Sequence, residues 1–218
     1  MKYYLTPILL LLFRTGTFCQ HASNPDSVLA WLKSGNNLFV HGEFNLQGID
    51  SSLRIELSKA QHPKAVILTC SDSRVSPELI FDKGLGDLFV IRVAGNISDD
   101  AVVGSIEYAV QHLHTPLVVV MGHKNCGAIA AAVADQQKPN EINNHIRILT
   151  DKIEQAVTAV KLNESDATQK ALLSNIIFTV SSLDESRPVL NEAVKKGELK
   201  IVGAVYDLSS GKVQWLEK

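Results

Sequence analysis

Hydrophobic positions along this chain switch between two spacings. SVLAWLKSGNNLFV, from Ser27, sets Val28, Leu29, Leu32, Leu38 and Phe39 where one helix face can collect them, and SLRIEL from Ser52 predicts a second, shorter helix. Strand patterns follow. KAVILT (Lys64 to Thr69), DLFVIRV (Asp87 to Val93) and PLVVVMG (Pro116 to Gly122) are short, rich in β-branched residues and almost wholly apolar, as parallel strands covered on both faces must be. Between the second and third of these, DDAVVGSIEYAVQHL opens on Asp99 and Asp100, which suit the positive end of a helix. It carries Val102, Ile106, Ala109, Val110 and Leu113 at helical spacing. GAIAAAVADQQ from Gly127 predicts another helix, and further helical patterns cover 143–161, 166–180 and 186–196. Two strands close the chain, LKIVGAVYDL and KVQWL, joined by the turn SSGK. Strands alternating with helices predict an α/β domain with a mainly parallel sheet flanked by helices.

The chain has 218 residues, 45% of them hydrophobic, which suits one core and one domain. A formal charge of -2, with Lys and Arg dispersed, gives no footprint for nucleic acid and points to a small or neutral substrate. At the start, Lys2 precedes the apolar run LTPILLLLF, which gives way to polar residues and is too short to span a bilayer. We read residues 1–22 as a signal peptide that directs export, placing the domain of residues 23–218 in the periplasm. The other reading of that segment is a docking arm. Cys19 follows the run, but Phe18 stands where a lipobox has a small residue, so a lipid anchor there is disfavoured.

The cysteines that remain, Cys70 and Cys126, do not form a disulfide framework. Cys70 ends the first predicted strand, His123 ends the third, and ligands of open α/β sheets bind at the carboxyl ends of strands. Cys126 lies three positions after His123, in GHKNCGA, so its thiol and the imidazole can face one point across a tight turn. Two thiols and an imidazole make three ligands for a tetrahedral zinc, leaving the fourth position open, as catalytic zinc sites do. Taken singly, each residue has a commoner role: a buried cysteine packs, and Asp72 with Arg74 makes a surface ion pair of little weight. Their combination points to the metal. Gly127, directly after Cys126, either lets backbone approach the bound oxygen or serves packing. His41, His62, His112, His114 and His145 sit in polar or amphipathic surroundings and are read as solvated; His21 falls near the cleavage region. Two rival uses of CSDSRV are weaker. A nucleophilic Cys70 in a phosphatase-like loop needs an Arg farther along than Arg74, and a purely structural zinc needs a permanent fourth ligand, for which Asp72 is the nearby candidate.

CSDSRV followed at this distance by GHKNCGA resembles the β-class carbonic anhydrases. QHPKAVILTCSDSRV, LGDLFVIRVAGN, SIEYAV and KIVGAVYDL extend the resemblance over roughly residues 27–217. The resemblance implies reversible hydration of carbon dioxide to bicarbonate and a proton, one zinc per chain, and a homodimer or homotetramer whose N-terminal helices pack on a partner subunit. It implies Cys70, His123 and Cys126 as ligands, with Asp72 and Arg74 paired beside the metal. Asp72 is also an alternate fourth ligand once that pair breaks. Gln61 is then the amide that contacts substrate, while Phe89 and Tyr108 line an apolar pocket, in part from a neighbouring subunit. The same fold and metal also suit hydrolysis of carbon disulfide or carbonyl sulfide, which share the linear shape of carbon dioxide.

Overall fold

Three near-apolar strands dominate the architecture because each needs cover on both faces. The computed structural model describes residues 24–43, 50–137, 144–158, 160 and 164–216. The signal-peptide segment and Cys19 lie outside the described residues. Strands β1 (Ala65–Thr69), β2 (Leu88–Arg92), β3 (Leu117–His123) and β4 (Lys200–Tyr206) run parallel, and β5 (Val213–Leu216) pairs antiparallel with β4, in the order β2-β1-β3-β4-β5. β1 and β3 occupy the interior and are buried at every position, whereas β2 forms an edge and is only half-buried.

Alternate residues of the central strands serve opposite layers, as the two-residue strand period requires. Val66, Leu68, Val118 and Val120 face a large core built with helices α4 (Asp100–Leu113), α5 (Gly127–Gln137), α6 (Ile146–Val157), α7 (Ala167–Glu185) and α8 (Val189–Lys195). Ala65, Ile67, Leu117, Val119 and Met121 face a second core with Val28 and Leu32 of α1 (Pro25–His41). Thus α1 packs on its own chain's sheet. The other N-terminal helix, α2 (Ser51–Leu57), buries none of its residues and leaves Ile55 67% exposed. No helix among the described residues is long and apolar enough to cross a membrane.

Local chemistry explains most boundaries. Asn24 accepts the Asp26 N–H at 2.8 Å before α1, and Asp99 accepts the Val102 N–H at 2.8 Å before α4, each satisfying a donor of the first turn. The helix expected over 166–180 continues to Glu185 because Leu183 is fully buried. The last helix begins at Val189 rather than 186, since Pro188 biases the residue before it away from helix. Two short elements escaped the periodicity: α3 (Pro77–Ile80) and a 3-10 turn at Ala94–Asn96. Each is too brief to show a repeat.

Candidate metal centre

β1 and β3 are neighbours in parallel register, Thr69 opposite Met121, so Cys70 and His123 emerge side by side at the carboxyl edge. A turn through Lys124 and Asn125 then leads to Cys126; Asn125 takes a φ of 58°, a left-handed conformation that asparagine tolerates well. The Lys124 N–H donates to the Tyr206 carbonyl at 2.9 Å, tying that turn to β4. The outcome is a cluster in which the ligand atoms of Cys70, His123 and Cys126 lie within 4.8 Å of one another, all three residues buried. His123 Nδ1 donates to the Lys124 carbonyl at 3.0 Å. That bond leaves Nε2 with a lone pair, buried and, among the described residues, without a hydrogen-bond partner.

This donor set fits a zinc ion. The Cys70 and Cys126 sulfurs are 3.9 Å apart, and two thiolates on one tetrahedral zinc, with bonds of about 2.3 Å, stand roughly 3.8 Å apart. The ordinarily costly orphan, a buried imidazole nitrogen, has its acceptor side turned to the same cluster. Proton sharing shows the same demand. The Cys70 thiol is lowered, first because Cys126 donates to it and against the effect of burial, with His123 and the Gly95 N–H assisting. Cys126 is raised, by that same hydrogen bond and by burial. Burial opposes a charged His123, but the closeness and charge of the Cys70 sulfur raise it overall. A divalent cation satisfies both sulfurs and the nitrogen together.

Asp72 sits at the open side of the cluster. Arg74 grips it in a fork, Nε to Oδ1 at 2.9 Å and Nη2 to Oδ2 at 2.7 Å, while the Arg74 N–H adds a third bond to Oδ1 at 3.0 Å. These bonds hold the Asp72 carboxyl well below the usual carboxylate range, so it stays an anionic acceptor. Its Oδ2 is nevertheless only 3.7 Å from His123 Nε2. The residue is therefore poised between a guanidinium and the site of a metal.

The remaining expected residues stand apart. Gln61 and Tyr108 line an open groove with His62, His112 and His114, and its walls include none of the three candidate ligands. Phe89, on β2, lies with its ring 6.4 Å from that of Tyr108. The five histidines read as solvated are all exposed. At Gly127, exposed in the first turn of α5, a Cβ would meet nothing within 4 Å among the described residues, so packing between them does not call for a glycine there.

Three contributors went unread in the sequence. Arg92 donates from Nε to the Cys70 carbonyl at 3.2 Å and from Nη2 to the Asp72 carbonyl at 2.6 Å. Gly95 donates its N–H to Cys70 Sγ at 3.4 Å; its φ of 74° favours glycine, and a Cβ there would stand 2.8 Å from Ile153 Cδ1, so that side chain would have to shift. Lys124 supplies the carbonyl that fixes His123 and also pairs with Asp207 at 2.7 Å. Arg92 alone had a signal, a cation ending an apolar strand at the edge where Cys70 and His123 end theirs.

Comparison with known proteins agrees with this geometry. The carbonic anhydrase family model matches residues 65–213. Carbonic anhydrase 2 of Mycobacterium tuberculosis is 39% identical over 193 residues, 87% of this chain and 92% of the relative. The carbonic anhydrase of Mycolicibacterium smegmatis is 36% identical over 195 residues, 88% of this chain and 94% of the relative. Among solved structures, a Coccomyxa β-carbonic anhydrase in complex with acetazolamide superposes with a TM-score of 0.70 at 28% identity, covering 78% of each chain. The β-carbonic anhydrase CcaA superposes with a TM-score of 0.64 at 27% identity, covering 87% of this chain and 95% of its own. With matches of this extent, the chain belongs to the carbonic anhydrase family of lyases, in its β class.

Proposed function

We propose that this enzyme hydrates carbon dioxide reversibly to bicarbonate and a proton, with one zinc held by Cys70, His123 and Cys126. The observation that carries the reading is the buried, unpartnered His123 Nε2 beside two thiols 3.9 Å apart. Zinc there supplies Lewis acidity that brings the ionisation of water into an accessible pH range, less strongly with two thiolates than with three neutral imidazoles. Asp72 accepts a hydrogen bond from the attacking water and so aims its lone pair at the carbon of the substrate. Arg74 holds Asp72 anionic and paired with its guanidinium, which would keep the carboxylate from ligating an ion held by the other three residues. Because the fork engages both carboxylate oxygens, Asp72 is not a permanent fourth ligand, which favours catalysis over a structural zinc.

Gln61, Phe89 and Tyr108 complete the substrate pocket across a contact between two copies of the chain. The half-buried edge strand β2, the unburied α2 and a Tyr108 that is 46% exposed support a homodimer or larger homo-oligomer. The N-terminal apolar run supports export to the periplasm; N-terminal sequencing of the protein recovered from that compartment tests cleavage near residue 22. Stopped-flow hydration of carbon dioxide, alongside elemental analysis, tests the activity. Zinc at one per chain with rapid hydration is expected. A zinc-loaded enzyme that hydrolyses carbon disulfide or carbonyl sulfide and leaves carbon dioxide untouched would replace this assignment.

A further inference from the structure

The turn that carries both Cys70 and Asp72 is held from outside by one side chain. Arg92, the last residue of β2, lies in register with Thr69, the last of β1, and its guanidinium crosses to the turn leaving β1. Nε reaches the Cys70 carbonyl at 3.2 Å and Nη2 the Asp72 carbonyl at 2.6 Å. The Asp72 carbonyl also accepts the Val75 N–H at 2.9 Å, so both of its lone pairs are engaged. Backbone rotation at Asp72 must break at least one of these bonds.

That constraint bears on the carboxylate. Asp72 Oδ2 is 2.7 Å from Arg74 Nη2 and 3.7 Å from His123 Nε2, so a short movement takes it from the ion pair toward the position water needs. The Arg74 fork opposes the movement at the side chain but cannot fix the backbone, since Arg74 rides on the same turn. Arg92 is anchored on a different strand. We infer that Arg92 is a positioning residue that clamps the Cys70–Asp72 backbone and keeps the Asp72 carboxylate paired with Arg74, off the metal. A planar fork spans two carbonyls in fixed geometry, which a lysine ammonium on a flexible stem cannot reproduce.

The inference rests on the zinc hydratase reading and is tested with Arg92→Lys and Arg92→Ala in the full chain, alone and combined with Asp72→Asn. Both single variants are expected to keep one metal per chain and to melt as the parent does. Their kcat should fall about tenfold, the scale of a lost partner behind a metal's own ligands, with KM held within about twofold. Cobalt(II) in place of zinc reports the coordination directly: its visible bands should shift in Arg92→Lys as the carboxylate takes the open position. In the Asp72→Asn background, Arg92→Lys should change neither the bands nor the rate further, because the residue acts through Asp72. An unshifted cobalt spectrum in Arg92→Lys, or a rate loss that persists undiminished beside Asp72→Asn, overturns the inference. Failure of both Arg92 variants to fold also overturns it, assigning the residue to structure alone. A parent enzyme that holds metal but does not hydrate carbon dioxide refutes the activity, while the cobalt spectra still decide the role of Arg92.

Discussion

The metal end of the sheet and the groove around Gln61 were both anticipated as parts of one site, yet they are built in opposite ways. At the metal end, Cys70, His123 and Cys126 are no more than 5% exposed, and each is fixed by a strand end or by the turn that follows one. In the groove, Gln61 and Tyr108 are exposed and lie beside an edge strand and a helix with no buried residue. The first region is complete in one chain. The second is an open surface groove, completed in the proposed assembly by another copy of the chain. A cluster that must be dry and charged is thus built into the core, while the groove stays at the surface, where its role depends on what covers it.

The sharpest way to break that contrast is to remove a ligand. Cys126→Ser removes one of the two sulfurs of the cluster, and zinc content and hydration should both be lost; a full zinc complement after dialysis contradicts the ligand set. Arg74→Ala should keep its zinc and fold while hydration falls about 10–100-fold, because the freed Asp72 carboxylate has only the metal left to neutralise it. An undiminished rate removes Arg74 from the site.

The groove is tested by its dependence on a second copy. Gln61→Ala should keep zinc and lose about tenfold in activity, the smaller cost of an orienting contact. The two regions can then be separated by mixing chains. Cys126→Ser has an intact groove and a dead centre, whereas Gln61→Ala has the reverse. Co-refolded together, they should regain part of the parent rate if the groove of one chain serves the centre of the other, and no recovery would place Gln61 on its own chain's site.

Legibility in the sequence followed the same division. The strands were readable because β1 and β3 are buried on both faces and so had to be apolar throughout, and the closeness of Cys70, His123 and Cys126 was readable because strand ends in parallel register bring fixed positions together. Arg92 and Lys124 were harder to see, since each acts through backbone carbonyls or a neighbour's ring, and such bonds place no demand on residue spacing. Gly95 was hidden for a related reason: its φ and its closeness to Ile153 arise from how α6 packs against the 3-10 turn, a tertiary fact. The length of α7 depended likewise on Leu183 finding a buried place beyond the last clear periodic residue.

The smallest effect is expected at the far end of α5, the helix whose first turn follows Cys126. There Asp135, buried, faces Glu154 of α6, and Arg147 reaches Asp135 Oδ2 at 3.1 Å and Asp151 Oδ1 at 2.9 Å. Like the metal end, this cluster holds buried polar atoms, Asp135 Oδ1 and Glu154 Oε1, that have no hydrogen-bond partner among the described residues. Burial, then the closeness and charge of Asp135, raise Glu154 above its ordinary value of 4.5. An acid raised in the folded state is stabilised there in its protonated form. Its contribution is complete below the ordinary value and is lost as pH climbs through the raised one. Glu154→Gln keeps a donor toward Asp135 at every pH. The variant should therefore match the parent near pH 4 and melt about 2 °C higher near pH 8, with zinc content unchanged. A variant that gains nothing over the parent between those two conditions shows that Glu154 stores no pH-dependent stability.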